Sequence, residues 1–140
     1  MATFNKFQDF SEQLTKGVHQ FGTHTFKVML TNSAPVATNT VKSDLTDISA
    51  GNGYTAGGSA TTITVSETSG TTTVSSSKVT FTASGGAIGP FRYATLYNDS
   101  AASKNLVGWW DYGSSITLNA GESLDVKFSN TDPGAILTLA

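Results

Sequence analysis

The stretch Pro90-Phe91-Arg92-Tyr93-Ala94-Thr95-Leu96-Tyr97 decides the fold. At a period of two, Phe91, Tyr93, Thr95 and Tyr97 share one face, with Arg92, Ala94 and Leu96 on the other. Pro90 then stands at the first residue of a strand, where proline is tolerated. The same period extends in both directions. Upstream, Phe26, Val28 and Leu30 alternate with Lys27, Met29 and Thr31, and Ile63 and Val65 alternate with Thr62, Thr64 and Ser66. Thr71 to Val74 and the pair Val79 and Phe81 continue the series. Downstream lie Leu106 to Tyr112, Ser115 to Leu118, Leu124 to Phe128 and Ile136 to Leu139. Thr68-Ser69-Gly70, Gly85-Gly86, Asn119-Ala120-Gly121 and Asp132-Pro133-Gly134 supply turn chemistry between them. Eight or nine short strands at such spacing predict a mainly β protein, a β-sandwich or jelly-roll-like set of antiparallel sheets.

One region departs from this period. Phe7, Phe10, Leu14, Val18 and Phe21 recur at steps of 3, 4, 4 and 3, which is helical spacing. Asp9 and Glu12 lie early and Lys16 late, as a helix dipole prefers. The spacing predicts one N-terminal helix over about 4–20, with Gly17 weakening its second half and Gly22 as a terminator. Two roles are open to its Phe7, Phe10 and Leu14 stripe: packing on the chain's own sheet, or contact with a neighbouring subunit. Ser43 to Ile48 reads as a single helical turn capped by Ser43.

Composition narrows the function. The 140 residues suit a single domain, 1–140, and no linker-like segment divides them. There is no Cys, which excludes a disulfide scaffold, a Cys-ligated metal site and a thiol nucleophile. Only 13% of residues are charged, whereas 22 Thr and 17 Ser carry small hydroxyls, so solubility rests on hydroxyls. The net charge of −2 leaves no basic surplus for a nucleic-acid backbone. No apolar run approaches the ~20 residues of a membrane helix. Met1 to Phe10 has no signal-peptide pattern, which points to folding in the cytoplasm of the producing cell. The tract from Ser59 to Ser77 reads as a hydroxyl-rich edge hairpin, a natural place to pair with another chain.

Catalytic arrangements are weak. The two histidines, His19 and His24, are five apart with no carboxylate at ligand spacing. No Gly-x-Ser-x-Gly turn occurs. The closest carboxylate pairs, Asp44 with Asp47 and Glu122 with Asp125, fit a capped turn and a strand edge better than glycoside chemistry. The glycine-rich run from Gly51 to Gly58 lacks the Gly-Lys-Ser/Thr of a phosphate loop. These features predict no enzyme, no cofactor and no metal. Aromatics are the concentrated resource. Trp109 and Trp110 must face opposite ways if their segment is a strand, one inward and one toward an interface or a sugar.

Three stretches together resemble a family of small structural proteins of tailed bacteriophages. They are Leu45-Thr46-Asp47-Ile48 running into Gly51-Asn52-Gly53-Tyr54-Thr55-Ala56-Gly57-Gly58, then Thr82-Ala83-Ser84-Gly85-Gly86-Ala87-Ile88-Gly89-Pro90-Phe91-Arg92-Tyr93, and Gly108-Trp109-Trp110-Asp111-Tyr112-Gly113. The start Phe4-Asn5-Lys6-Phe7 adds to the set, and the resemblance is weakest from Thr61 to Ser77. It implies a virion component made in the host cytoplasm, most simply a head decoration or cement protein. The implied partners are the major capsid protein and further copies of itself, as a dimer or trimer. The alternative it leaves is a tail, collar or fibre-associated component with sugar-binding aromatics at Trp109 or Trp110.

Overall fold

The computed structural model describes residues 2–140. Ten strands and one short helix follow in the order β1 (Phe4–Lys6), α1 (Phe10–Thr15), β2 (Phe26–Thr31), β3 (Ser59–Thr61), β4 (Ile63–Thr68), β5 (Thr71–Ser76), β6 (Val79–Thr82), β7 (Ile88–Asn98), β8 (Leu106–Leu118), β9 (Ser123–Val126) and β10 (Gly134–Leu139). All strand pairings are antiparallel. They form a five-stranded sheet in the order β1-β8-β7-β2-β3, a three-stranded sheet β10-β5-β4 and a two-stranded sheet β6-β9.

The main core lies between the large sheet and the two small ones. Phe26, Val28 and Leu30 of β2, Ala94 and Leu96 of β7 and Trp110 of β8 meet Val74 of β5, Phe81 of β6 and Val126 of β9. This is the mainly β, layered antiparallel arrangement that the alternation predicts. The large sheet is also covered on its other face. Met29, Tyr97 and Leu106 form a second cluster there with Phe7 and Leu45, and Trp109 packs against it. That explains why β2 is buried almost throughout rather than at alternate positions.

The N-terminal helix is much shorter than the stripe predicts. Phe4–Lys6 is a strand, paired Phe4 to Trp110 and Lys6 to Gly108, and α1 covers six residues. A short helix interrupted by Gly17 (φ +79°) gains little from its own hydrogen bonds. Pairing residues 4–6 with the edge of β8 satisfies backbone groups of both segments and sets Phe4 on Trp110, ring centroids 4.9 Å apart. The stripe still marks inward-facing residues, but they enter two different clusters: Phe7 the second, Phe10 and Phe21 the main one.

Smaller features accompany this one. Leu106 to Leu118 is one bent strand rather than two, and its register against β7 shifts between Phe91 and Tyr93. That irregularity moves Phe91 to the face of Ala94 and Leu96, away from Tyr97. The turn near residue 43 is a 3-10 turn, Lys42–Asp44. Its cap is the Asp44 carboxylate, which accepts the Thr40 and Val41 N–H groups at 2.9 and 3.2 Å, not the Ser43 hydroxyl. Those two backbone donors hold the Asp44 carboxyl below the usual carboxylate range. The Thr/Ser tract forms the β4–β5 hairpin, with Ser69 and Gly70 both at positive φ, and β4 is an edge of its sheet.

Candidate functional site

Most acidic side chains of the fold hold loops in place. Asp47 organises the glycine-rich run. The Tyr54 hydroxyl donates to Asp47 Oδ1 at 2.5 Å and the Gly57 N–H donates to Oδ2 at 2.5 Å. Tyr54 in turn accepts the Leu30 N–H at 2.9 Å, and the Tyr97 hydroxyl donates to the Gly57 carbonyl at 2.6 Å. Burial raises both phenols above the ordinary tyrosine range, helped for Tyr54 by its bond to Asp47 and for Tyr97 by the charges of Asp99 and Asp47. The run lies so close to β2 that a Cβ on Gly58 would stand 1.8 Å from the Val28 carbonyl oxygen. Asp47 and Asp44 therefore serve two separate turns. Glu122 accepts the Asn119 N–H at 2.9 Å, and Asp125 accepts the Thr80 hydroxyl at 2.6 Å, so this pair is divided in the same way.

The two histidines share one partner. The Asn98 amide oxygen accepts the Ser100 and Ala101 N–H groups, at 3.1 and 3.2 Å, which fixes the orientation of the amide. Its nitrogen, with two hydrogens, lies within reach of three acceptors, Val18 O, His19 Nδ1 and His24 Nδ1, at 3.2, 3.2 and 3.0 Å. An amide nitrogen cannot accept, so the proton of neutral His19 sits on Nε2. His19 is buried against Phe10, Phe21 and Phe26. Burial first, and the neighbouring His24 second, push its pKa down to about 4, against a smaller opposing pull from Asp9. No group of three His, Cys, Asp or Glu side chains placed to hold a metal ion occurs among the described residues.

The predicted contact residues divide by exposure. Phe7 is 0% and Phe10 4% exposed, so both are internal to this chain rather than presented to a neighbour. Leu14 is half-buried and lines an apolar groove of about 270 Å³ with Phe21, Val65, Val74, Leu137 and Leu139. Val65 (44%) and Leu139 (65%) are exposed beside it. The Trp pair faces opposite ways, as expected for a strand. Trp110 is 1% exposed, edge-on to Phe128 at 5.0 Å, whereas Trp109 packs on Phe7 at 4.5 Å on the other face.

Beside Trp110, between β8 and β9, a cleft of about 620 Å³ opens. Trp110, Tyr112 and Leu124 form its apolar part, and Asp111, Asp125 and Lys127 its polar part. Tyr112 belongs to the aromatic cluster legible in the sequence, which names the Trp pair rather than Tyr112 as the candidate stacking residues. Its position two residues after Trp110, hence on the same face of a strand, was the available signal. Asp111 is gripped by Arg92 through two bonds of 2.8 and 3.0 Å and accepts the Gly113 N–H at 2.7 Å. Arg92 and this N–H keep its carboxyl below the usual range.

No protein-family model, no curated protein and no solved structure matches this chain.

Proposed function

We propose that this chain is a structural component of a tailed-phage virion, a head decoration or cement protein that binds the assembled shell. The observation that carries this reading is the surface formed by β4. It is an edge strand, hydroxyl-rich and exposed from Thr64 to Thr68, and Val65 with the nearby Leu139 gives it an apolar centre. An open strand edge with little charge suits pairing and packing against another subunit. The resemblance of three sequence stretches to phage structural proteins is in keeping with the same reading. So is the use of Asp44, Asp47 and Glu122 as loop fasteners and of Asp125 in a cross-strand bond to Thr80, which favours a scaffold role.

The mechanism is mass action. A protein that binds the assembled shell and not its dissociated subunits shifts the equilibrium toward the shell, by RT ln(1 + [L]/Kd) for each site. Contacts with the major capsid protein at symmetry axes would gather copies of this chain into dimers or trimers. Because Phe7 and Phe10 are internal, attachment is assigned to β4 and the Val65/Leu139 rim, with Leu14 the predicted contact residue that shares their groove.

The test is rebinding to particles purified without this protein. Wild type is expected to attach saturably and to raise the temperature at which the shells release DNA. Val65→Glu with Leu139→Glu is expected to stay folded and fail to attach. Attachment of that double variant at wild-type affinity would remove β4 from the reading, and absence of wild-type attachment would remove the shell.

A further inference from the structure

The cleft between β8 and β9 is independent of the β4 surface and of the shell reading. We propose that it is a saccharide-binding site, taking an uncharged pyranose against the ring of Tyr112. Its volume of about 620 Å³ lies within the range of small-molecule sites and exceeds the needs of one sugar ring.

Three observations converge on that ligand class. The first is the floor. Tyr112 is half-buried and lines the cleft with Leu124 beside it. The second is an unsatisfied donor. Trp110 lines the cleft, is 1% exposed, and its indole Nε1–H has no acceptor among the described residues. A buried donor without a partner costs about 1–3 kcal/mol, and a ligand oxygen that displaced part of the lining would relieve it. The third is the mixed rim. Asp111 and Asp125 already take protein donors, but each carboxylate has about four lone-pair sites and can accept further hydroxyls. Lys127 offers donors on the same rim.

The charge pattern selects among ligands. Arg92 pairs with Asp111 and Lys78 with Asp125, so both carboxylates are already countered and the rim, with Lys127, carries no strong negative charge to hold a cation. A neutral molecule with several hydroxyls and one apolar face fits acceptors, donors and an aromatic ring together. Trp109 takes no part, because it lies on the opposite face against Phe7. Trp110, 1% exposed, is not an exposed stacking platform.

The test uses ¹⁵N-labelled protein and the methyl glycosides of glucose, galactose, mannose, rhamnose and N-acetylglucosamine, each titrated separately. At least one is expected to move the Trp110 indole N–H and the Gly113 amide saturably while the Trp109 indole N–H stays in place. Tyr112→Ala is expected to weaken that binding at least tenfold. Since Tyr112 also packs on the core, Lys127→Ala is the second variant, expected to fold normally and to bind several-fold more weakly. The proposal is overturned if none of the five sugars gives a saturable shift. It is equally overturned if the Trp109 signal moves instead, or if the folded variants bind like wild type.

Discussion

Acidification through the range of histidine titration should destabilise this fold by way of His19. In the unfolded chain a histidine titrates near 6.5, whereas in the folded state burial holds His19 at about 4. The folded pKa is the lower one, so between these values the unfolded state binds more protons and stability rises with pH. The stabilisation is fully present above about pH 6.5 and is lost as pH falls toward 4. A difference of about 2.5 units at 1.36 kcal/mol each gives about 3 kcal/mol in all, of which about 2 kcal/mol is gone by pH 5. That is a large part of a domain stability of about 5–15 kcal/mol. Glu12, Asp44, Asp99, Asp111 and Asp125 are held below the ordinary carboxylate range by their partners. Their contributions are lost only below about pH 4.5, which separates the two windows. Thermal unfolding followed by circular dichroism should therefore show the melting temperature of wild type falling by roughly 8 °C from pH 7.5 to pH 5. His19→Gln, which can still accept from Asn98, should be nearly flat over that interval. A wild-type melting temperature constant over the interval, or an equal slope in His19→Gln, would refute the reasoning.

Other substitutions test the packing. Asp47→Ala leaves the Tyr54 hydroxyl and the Gly57 N–H without their acceptor, so urea denaturation should show a loss of about 2–4 kcal/mol from two orphaned donors. Hydrogen exchange of residues 51–58 should quicken in the same variant. Gly58→Ala sets a methyl group into the Val28 carbonyl at a φ of +80°, and expression should yield no folded protein. Phe7→Ala should cost about 3–5 kcal/mol in denaturant titration, whereas Val65→Ser at the exposed edge should change stability by no more than about 0.5 kcal/mol.

The strands were legible because alternation is a local signal that needs no knowledge of neighbours. Phe26 to Leu30 and the Ser69-Gly70 hairpin show this, as does the opposed pair Trp109 and Trp110. The N-terminus was not legible for the same reason. A three-residue strand carries no period, and the stripe of Phe7, Phe10, Leu14 and Phe21 has helical spacing even though its members enter two clusters on opposite faces of one sheet. What decides between helix and strand there is an unpaired edge of β8, about a hundred residues away in the chain. The reversal of Phe91 follows from irregular register against β8, which is likewise a property of the pair. For the candidate sites, the sequence located the aromatic concentration at 109–112 but not which ring meets solvent. That depends on Phe4 and Phe128 covering Trp110, which leaves Trp109 half-buried against Phe7 on one face and Tyr112 half-buried at the cleft on the other. The Asp47–Tyr54 bond spans seven residues, but its purpose is visible only once Leu30 and Tyr97 are placed around it.

The most direct test of the proposed virion role is a cryo-electron microscopy map of the phage particles expected to carry this chain, with its copy number. The account predicts density for this fold on the outer surface of the head, in numbers proportional to the major capsid protein, with β4 facing the shell. A few copies confined to the tail or collar, or β4 turned to solvent, would contradict it.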